Sequence, residues 1–210
     1  MTSETAARPV VHERVVAGFG TVRVRPVDPD ADHGLLHAWV SQERARFWGM
    51  TGHTREQVLQ TYAHLDSLDT HHAFLVFRDE EPAALFQTYE PAADRVCECY
   101  AVEPGDIGIH LLIGPRSGGG MRGYSSTLID VFLSYVLSDP AVRRVVTEPD
   151  AANDKAVTRL ARSGFELGPE VVLPEVDLPE VYLPAKRARL AFLYQDKHGS
   201  GSTAGGSAAR

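Results

Sequence analysis

Residues 142–165 constrain the fold of this chain more than any other stretch. An apolar strand pattern ends at Glu148, and it is followed by a turn at Asp150, a helix that begins at Asn153 and a strand that begins after Gly164. This order places a carboxylate and a helix N-terminus at the end of a strand, where α/β proteins bind ligands. The stretch therefore predicts an α/β fold with a ligand site at this strand end.

A second strand pattern carries a histidine in an apolar setting. The sequence G-I-H-L-L-I-G at 108–114 includes His110, and a glycine-rich segment at 116–123 leads into a helix predicted over 124–137. Glycine lets the backbone approach a ligand closely, and amides at a helix N-terminus attract phosphates. We predict an anion site here, with charge from Arg116 or Arg122; the alternative is a flexible turn.

Composition narrows the class of protein. The 210 residues carry a formal charge of 21 − 28 = −7 without a basic run, which argues against nucleic acid as a partner. No apolar run is long enough to span a membrane, and residues 1–11 lack a signal pattern, so we expect a cytoplasmic protein without a membrane partner. Cys97 and Cys99 lie two residues apart, which is poor disulfide geometry, and we interpret them as packing residues of a strand.

The remaining elements alternate between helices and strands. A turn at 28–32 offers a cap for a helix with an apolar stripe at 35–40, and Thr54 with Gln57 forms the capping-box pattern of a second helix. Further strands are predicted at 21–27, 73–77, 83–89, 96–101 and 188–194.

We divide the chain into an extension at 1–20, one domain at 21–197 and a disordered tail at 198–210, which is rich in glycine, serine and alanine. Within the domain, residues 169–184 contain the unit P-E-V-x-L three times. Proline at every fifth position excludes a helix or a central strand, so the repeat predicts an extended excursion at one edge. It is either a duplicated loop or a lid over the substrate.

The order of elements resembles the GNAT family, whose members transfer an acyl group from coenzyme A to an amine. Several stretches are similar to the branch that acylates hydroxylamines in hydroxamate siderophore biosynthesis, the aerobactin, mycobactin and desferrioxamine type. Those stretches are L-H-A-W at 36–39, F-W at 47–48, F-Q-T-Y at 86–89, P-G-D-I-G-I-H-L-L-I-G at 104–114, V-V-T-E-P-D at 145–150 with Asn153, and L-P-A-K-R-A at 183–188. The desferrioxamine type, which acts on N-hydroxycadaverine, is the nearest in pattern.

The resemblance implies a mixed, mostly antiparallel sheet flanked by helices, with splayed strands at the acyl-CoA site. It implies acetyl-CoA or succinyl-CoA as donor, a small hydroxylamine as acceptor, no metal, and a monomer or homodimer. The family's pyrophosphate loop is matched only in part by the segment at 120–125. The predicted donor-binding residues are Leu112, Ile113, Arg116, Gly120, Arg122, Gly123, Tyr124, Ser125, Asn153 and Lys186.

The chemistry assigns roles to two of the matched residues. A hydroxylamine is largely neutral at cytoplasmic pH, so its attack on a thioester needs an oxyanion donor and a mild base. His110 is the candidate base, since an unperturbed histidine has a pKa of about 6.5; its alternative is a core histidine. Asp150 is its candidate partner or a substrate ligand; its alternative is a helix cap. By resemblance, a backbone amide near Leu112 is the oxyanion donor.

Other residues have two interpretations each. Trp48, Gln87 and Tyr89 are predicted to line the acceptor pocket, although Trp48 is equally typical of a buried side chain. Glu148 pairs with a substrate cation or is a surface acid at a strand end. Asn153 binds the pantetheine arm or starts its helix, and Lys186 meets a coenzyme phosphate or is solvated.

Two rival functions stay open: an acetyltransferase for an ordinary amine, such as a drug or a protein, and a non-catalytic acyl-CoA-binding module. Zinc is not expected, because His33 and His37 lack the glutamate of the H-E-x-x-H pattern and a third ligand. We predict direct transfer without an acyl-enzyme, because neither cysteine is placed as a nucleophile.

Overall fold

The computed structural model describes residues 8–116, 120–178 and 181–198, so the predicted tail lies outside the described residues from 199 onward. The strands are β1 His12–Val16, β2 Gly20–Pro26, β3 His71–Arg78, β4 Glu81–Tyr89, β5 Asp106–Ile113, β6 Arg144–Thr147, β7 Glu166–Leu173, β8 Val176–Leu178, β9 Val181–Leu183 and β10 Lys186–Tyr194. The helices are α1 Pro29–Val40, α2 Arg55–Asp66, α3 Tyr124–Val136, α4 Asp154–Arg162 and α5 Gln195–His198.

The chain forms two compact units, one built from the chain up to Glu90 with Ile109–Tyr135 and one from Pro91–Gly108 with the chain from Val136 onward. In the first unit β1, β2, β3 and β4 pair antiparallel in that order. The helix starts predicted from sequence are confirmed: Asp28 caps α1, and Thr54 with Gln57 forms the capping box of α2. These helices pack an apolar cluster against the sheet, with Trp39 and Tyr62 buried in it.

In the second unit, β6 pairs antiparallel with β10, and β10 pairs antiparallel with β7. β5 belongs to both units: its residues Asp106, Ile107 and Gly108 pair parallel with β6, and β4 is its other neighbour. The strand order is β1-β2-β3-β4-β5-β6-β10-β7. A mixed, mostly antiparallel sheet was predicted, and it is confirmed.

Two segments differ from the expectation. β1 lies within the extension expected at 1–20 and pairs with β2. Its residues alternate between partly buried and exposed, so the strand has only a weak apolar pattern. The strand predicted at 96–101 is wrong: Arg95–Glu98 is a three-ten helix whose start is capped by the Asp94 carboxylate, which accepts from the Val96 amide. The two cysteines therefore lie on this helix and its end, both as free thiols.

Residues 169–173 of the proline repeat form the end of β7, the last strand of the sheet order. β8 and β9, which lie within the repeat, pair antiparallel as a separate hairpin. The Arg95 guanidinium donates to the carbonyls of Pro174 and Pro184 at 2.9 and 2.8 Å and so fixes the base of the hairpin. No helix in the described residues has the length and apolar character needed to cross a membrane.

Gly114 directly follows β5, and its lack of a side chain lets Trp39 and the Ala83 carbonyl pack closely against the backbone. A Cβ there would lie 2.7 Å from the Trp39 ring and 3.0 Å from the Ala83 carbonyl oxygen. Overpacking of this kind costs about 1–3 kcal/mol, so we expect Gly114→Ala to lower the free energy of unfolding by that amount. Urea unfolding followed by circular dichroism measures it. Gly52→Ala is the control, because a Cβ at Gly52 meets no atom within 4 Å; equal stability of both variants would contradict the expectation.

Candidate active site

His110 lies on β5 in the first unit and is held by a side chain of β4. Its Nδ1 atom is 3.2 Å from Oε1 of Gln87. An amide oxygen only accepts hydrogen bonds, so Nδ1 carries the proton in this contact and Nε2 is the basic nitrogen. Among the sequence-predicted residues, the structure therefore brings Gln87 to the imidazole.

Two aromatic rings contact the His110 imidazole. The Tyr89 ring of β4 lies at a centroid distance of 4.8 Å, and the Trp48 ring meets the imidazole edge-on at 6.3 Å and 81°. Trp48 comes from a three-ten helix, Glu43–Trp48, and its indole N–H donates to the Tyr62 hydroxyl at 3.2 Å. Tyr62 is fully buried, and burial raises the pKa of its hydroxyl. Trp48 is partly buried, so it both packs and lines the histidine site.

Sequence reasoning missed Tyr62 as the support of Trp48, although Tyr62 stands in the apolar stripe of α2. It also missed Arg44, whose guanidinium donates to the carbonyl of Ile113 near the end of β5. Burial lowers the pKa of Arg44. The basic, aromatic segment R-A-R-F-W at 44–48 was the available signal for both contacts.

The direction of the β5 amides locates the candidate oxyanion donor. The Gly114 amide donates to the Ala83 carbonyl of β4 at 2.8 Å. N–H groups alternate in direction along a strand, so the Leu112 amide points toward β4, and those of Leu111 and Ile113 point to the other side. An oxyanion donor near Leu112 is therefore best assigned to one of these two neighbours.

The described part of the glycine-rich segment before α3 has an open backbone, and residues 117–119 lie outside the described residues. Gly123 has a φ of +79°, and a Cβ at Gly120 or Gly123 would meet no atom within 4 Å, so a ligand can approach this backbone. The amides of Tyr124 and Thr127 donate to the Met121 and Gly123 carbonyls, and the first turn of a helix in general has amides without a partner inside the helix. The Arg116 guanidinium lies 4.4 Å from the Tyr124 ring centre, and Arg122 is exposed. These residues fit a phosphate group.

The second unit holds the other predicted residues around the end of β6. The Glu148 side chain is only 3% exposed, so its interpretation as a surface acid is wrong. Lys186 is not simply solvated either, because its ammonium donates to the Glu148 carbonyl at 3.2 Å. Asp150 accepts from the Ala152 amide at 2.8 Å, and Asn153 caps α4. The helix-cap alternative is thus present for Asn153, whereas the contact of Asp150 is a turn contact before α4 and not a helix cap.

The pairing of Asp150 with His110 stays a prediction, because the two residues belong to different units. Within the described ranges, no three histidine, cysteine, aspartate or glutamate side chains are arranged to hold a metal ion.

Solved structures share the fold. An uncharacterized protein from Bacillus halodurans superposes with a TM-score of 0.74 at 24% identity, over 92% of this chain and 93% of its own. The aminoglycoside acetyltransferase AAC(6')-Ib in complex with coenzyme A superposes with a TM-score of 0.71 at 21% identity, over 87% of this chain and 99% of its own.

Two curated relatives are similar in sequence. The N(6)-hydroxylysine O-acetyltransferase of Escherichia coli is 29% identical over 154 residues, which are 71% of this chain and 48% of that protein. The lysine N-acyltransferase MbtK of Mycobacterium sp. (strain MCS) is 27% identical over 135 residues, 63% of this chain and 54% of that protein. The matches thus span about half the length of these relatives. The profile of the acetyltransferase (GNAT) domain matches residues 28–173. The chain therefore belongs to the GNAT acetyltransferase family.

Proposed function

We propose that this chain is an acyl-CoA-dependent N-acyltransferase that converts an N-hydroxylated amine to a hydroxamate in siderophore biosynthesis. The acceptor is an N-hydroxylated diamine similar to N-hydroxycadaverine, or N-hydroxylysine or N-hydroxyornithine. A hydroxamate is a bidentate iron ligand, so iron is the target of the product. We place the reaction in the cytoplasm, in a monomer or homodimer that binds no nucleic acid.

The observation that carries the proposal is the His110 imidazole, oriented by Gln87 and enclosed on two sides by Trp48 and Tyr89. A neutral hydroxylamine nitrogen attacks the thioester carbon, and the carbonyl oxygen becomes an oxyanion that the Leu111 or Ile113 amide stabilises. His110 accepts the nitrogen's proton at Nε2. The carbon–sulfur bond then breaks, and the thiolate of coenzyme A takes that proton.

The remaining predicted residues keep their proposed roles. The donor, acetyl-CoA or succinyl-CoA, binds along β5 and on the amides that precede and begin α3, with Arg116 or Arg122 near its phosphates and Asn153 and Lys186 as further contacts. Asp150 orients His110 or holds the acceptor, and Glu148 binds a substrate cation. Trp48 contacts the acceptor chain, whereas Tyr89, which is 1% exposed, packs on the His110 ring beneath it.

The relatives support this choice of acceptor. One is named for acetyl transfer to N(6)-hydroxylysine and the other for acyl transfer to a lysine nitrogen. The solved structures favour the rival, an acetyltransferase for ordinary amines, since AAC(6')-Ib has been solved with kanamycin and a spermidine N-acetyltransferase from Vibrio cholerae with spermine. The identity of the acceptor, a hydroxylamine or an ordinary amine, distinguishes the proposed enzyme from its rival.

We expect the purified protein to acylate N-hydroxycadaverine and release the free thiol of coenzyme A from acetyl-CoA or succinyl-CoA. An alkylamine such as cadaverine, with a pKa near 10.4, is neutral only on the order of one part in 10³ at pH 7, so its rate is lower by about that factor. Thiol release, product mass and the colour of the ferric hydroxamate report the reaction. The ferric colour also separates N-acylation from O-acylation, which gives no hydroxamate.

Equal rates with cadaverine at pH 7 would establish the rival enzyme. Binding of acetyl-CoA without turnover of any acceptor would establish the acyl-CoA-binding module. A burst of free coenzyme A without acceptor, stoichiometric with enzyme, would contradict direct transfer.

A further inference from the structure

We propose that Gln87 is a positioning residue that holds His110 in the tautomer with the proton on Nδ1. The inference rests on the proposed function in one respect, the use of His110 as the base. We infer the tautomer from the contact between Gln87 Oε1 and His110 Nδ1 at 3.2 Å, in which an amide oxygen accepts and the ring nitrogen donates.

Strand register brings the two side chains together. The Gly114 amide donates to the Ala83 carbonyl. His110 lies four residues before Gly114 on β5, and Gln87 lies four residues after Ala83 on β4. Between the two contacts the residue numbers fall along β5 and rise along β4, as in an antiparallel pair. Directly opposed side chains on one face of such a pair have Cβ atoms about 5 Å apart. The backbone pairing therefore places the Gln87 amide within hydrogen-bond distance of the His110 ring. Gln87 is therefore placed by the sheet and not by a loop.

An amide in this position affects the histidine differently from a carboxylate. Both fix the proton on Nδ1, but a carboxylate also stabilises the imidazolium and raises the pKa of a neighbouring histidine by about 1–3 units. Gln87 orients the ring without adding charge, which suits a base that must be neutral to receive a proton. Groups that contact the ring include Trp48 from the three-ten helix and Gln87 and Tyr89 from β4, and the Tyr89 phenol is an ionisable group among them.

The tautomer is measured directly by two-bond ¹H–¹⁵N correlation spectra of the ¹⁵N-labelled protein, with His110 assigned by loss of its signals in His110→Ala. Wild type is expected to show a protonated Nδ1 and an unprotonated Nε2. Gln87→Met, which keeps the volume and lacks the acceptor, is expected to lose this preference. A wild-type ring protonated on Nε2, or an unchanged tautomer in Gln87→Met, would overturn the proposal. This readout needs no substrate, so it stands or falls independently of the acceptor.

The second measurement is the pH profile of kcat/KM with whichever acceptor the wild type uses. Gln87→Glu is expected to move the acidic limb upward by about 1 unit or more, because a carboxylate then faces Nδ1. Gln87→Met is expected to lower kcat about 10-fold with little change in KM, since the base remains but is no longer oriented. Glu81→Gln at the exposed start of β4 is the matched control, and Tyr89→Phe identifies any limb that belongs to the phenol. An unmoved limb with a changed acceptor KM would make Gln87 a substrate contact and overturn the proposal.

Discussion

His110→Ala is expected to lower kcat about 10²- to 10⁴-fold at pH 7, because the variant lacks the group that accepts the nucleophile's proton. Binding of acetyl-CoA is expected to change by less than about twofold, since the base acts on the acceptor. Steady-state kinetics and calorimetric titration measure the two quantities. His64→Ala, on the exposed face of α2, is the control for loss of a histidine elsewhere. A loss of less than about 10-fold in a folded variant would show that His110 is a core histidine.

The same variant tests the proposed partnership with Asp150. If the two residues act as a unit, the double variant His110→Ala/Asp150→Asn loses no more activity than His110→Ala alone. Multiplicative losses would show that Asp150 acts separately. In that case its bond to the Ala152 amide, a local turn contact, is its main role.

Asp106→Asn is expected to lower the free energy of unfolding by about 3–5 kcal/mol, because it leaves a buried arginine without its counter-charge. The Asp106 side chain is 1% exposed, and Arg144 donates to both of its oxygens at 2.7 Å. The Glu103 amide and the Tyr100 hydroxyl donate to the same carboxylate at 3.0 Å, and the Arg144 guanidinium lies 5.2 Å from the Phe192 ring centre. Urea unfolding measures the loss.

The control is the exposed pair of Arg187 and Glu170, with side chains 75% and 46% exposed, for which Arg187→Ala is expected to cost less than about 1 kcal/mol. The double variant Asp106→Leu/Arg144→Met is expected to lose less than Asp106→Asn, because it leaves no unpaired charge. Equal losses for the buried and exposed pairs would show that the buried pair contributes no more than a surface contact.

This network also predicts a dependence on pH. Burial acts to raise the pKa of Asp106, but the hydrogen bonds from Arg144, the Glu103 amide and Tyr100 outweigh it and lower the pKa. The folded pKa thus lies below that of the unfolded chain, about 3.9, so the stabilisation is complete above that value and is lost as the pH falls through the folded pKa. The stability advantage of wild type over Asp106→Asn should therefore shrink below about pH 4.

Much of the fold could be predicted from local patterns. Helix caps at Asp28 and Thr54, the long helix after the glycine-rich segment and the edge placement of the proline repeat all depend on residues within a few positions of one another. Prolines lack an amide donor, so their spacing alone confines the repeat to an edge. The strand predicted at 96–101 was wrong. The alternating pattern there is outweighed by the Asp94 carboxylate, which accepts from the Val96 amide and so caps a helical turn where the strand was expected to begin.

The sequence by itself determined the family resemblance and, through that resemblance, the expected mostly antiparallel sheet and the choice of His110, because the matched motifs are short stretches of neighbouring residues. Only the tertiary structure decided what touches His110. Gln87 and Trp48 are separated from it by 23 and 62 positions, and strand register and helix packing bring them to the ring. The same holds for Asp106 and Arg144, whose pairing depends on the parallel register of β5 and β6. Such contacts form because the whole core packs closely, and a short window of sequence does not contain the distant residues that take part in that packing.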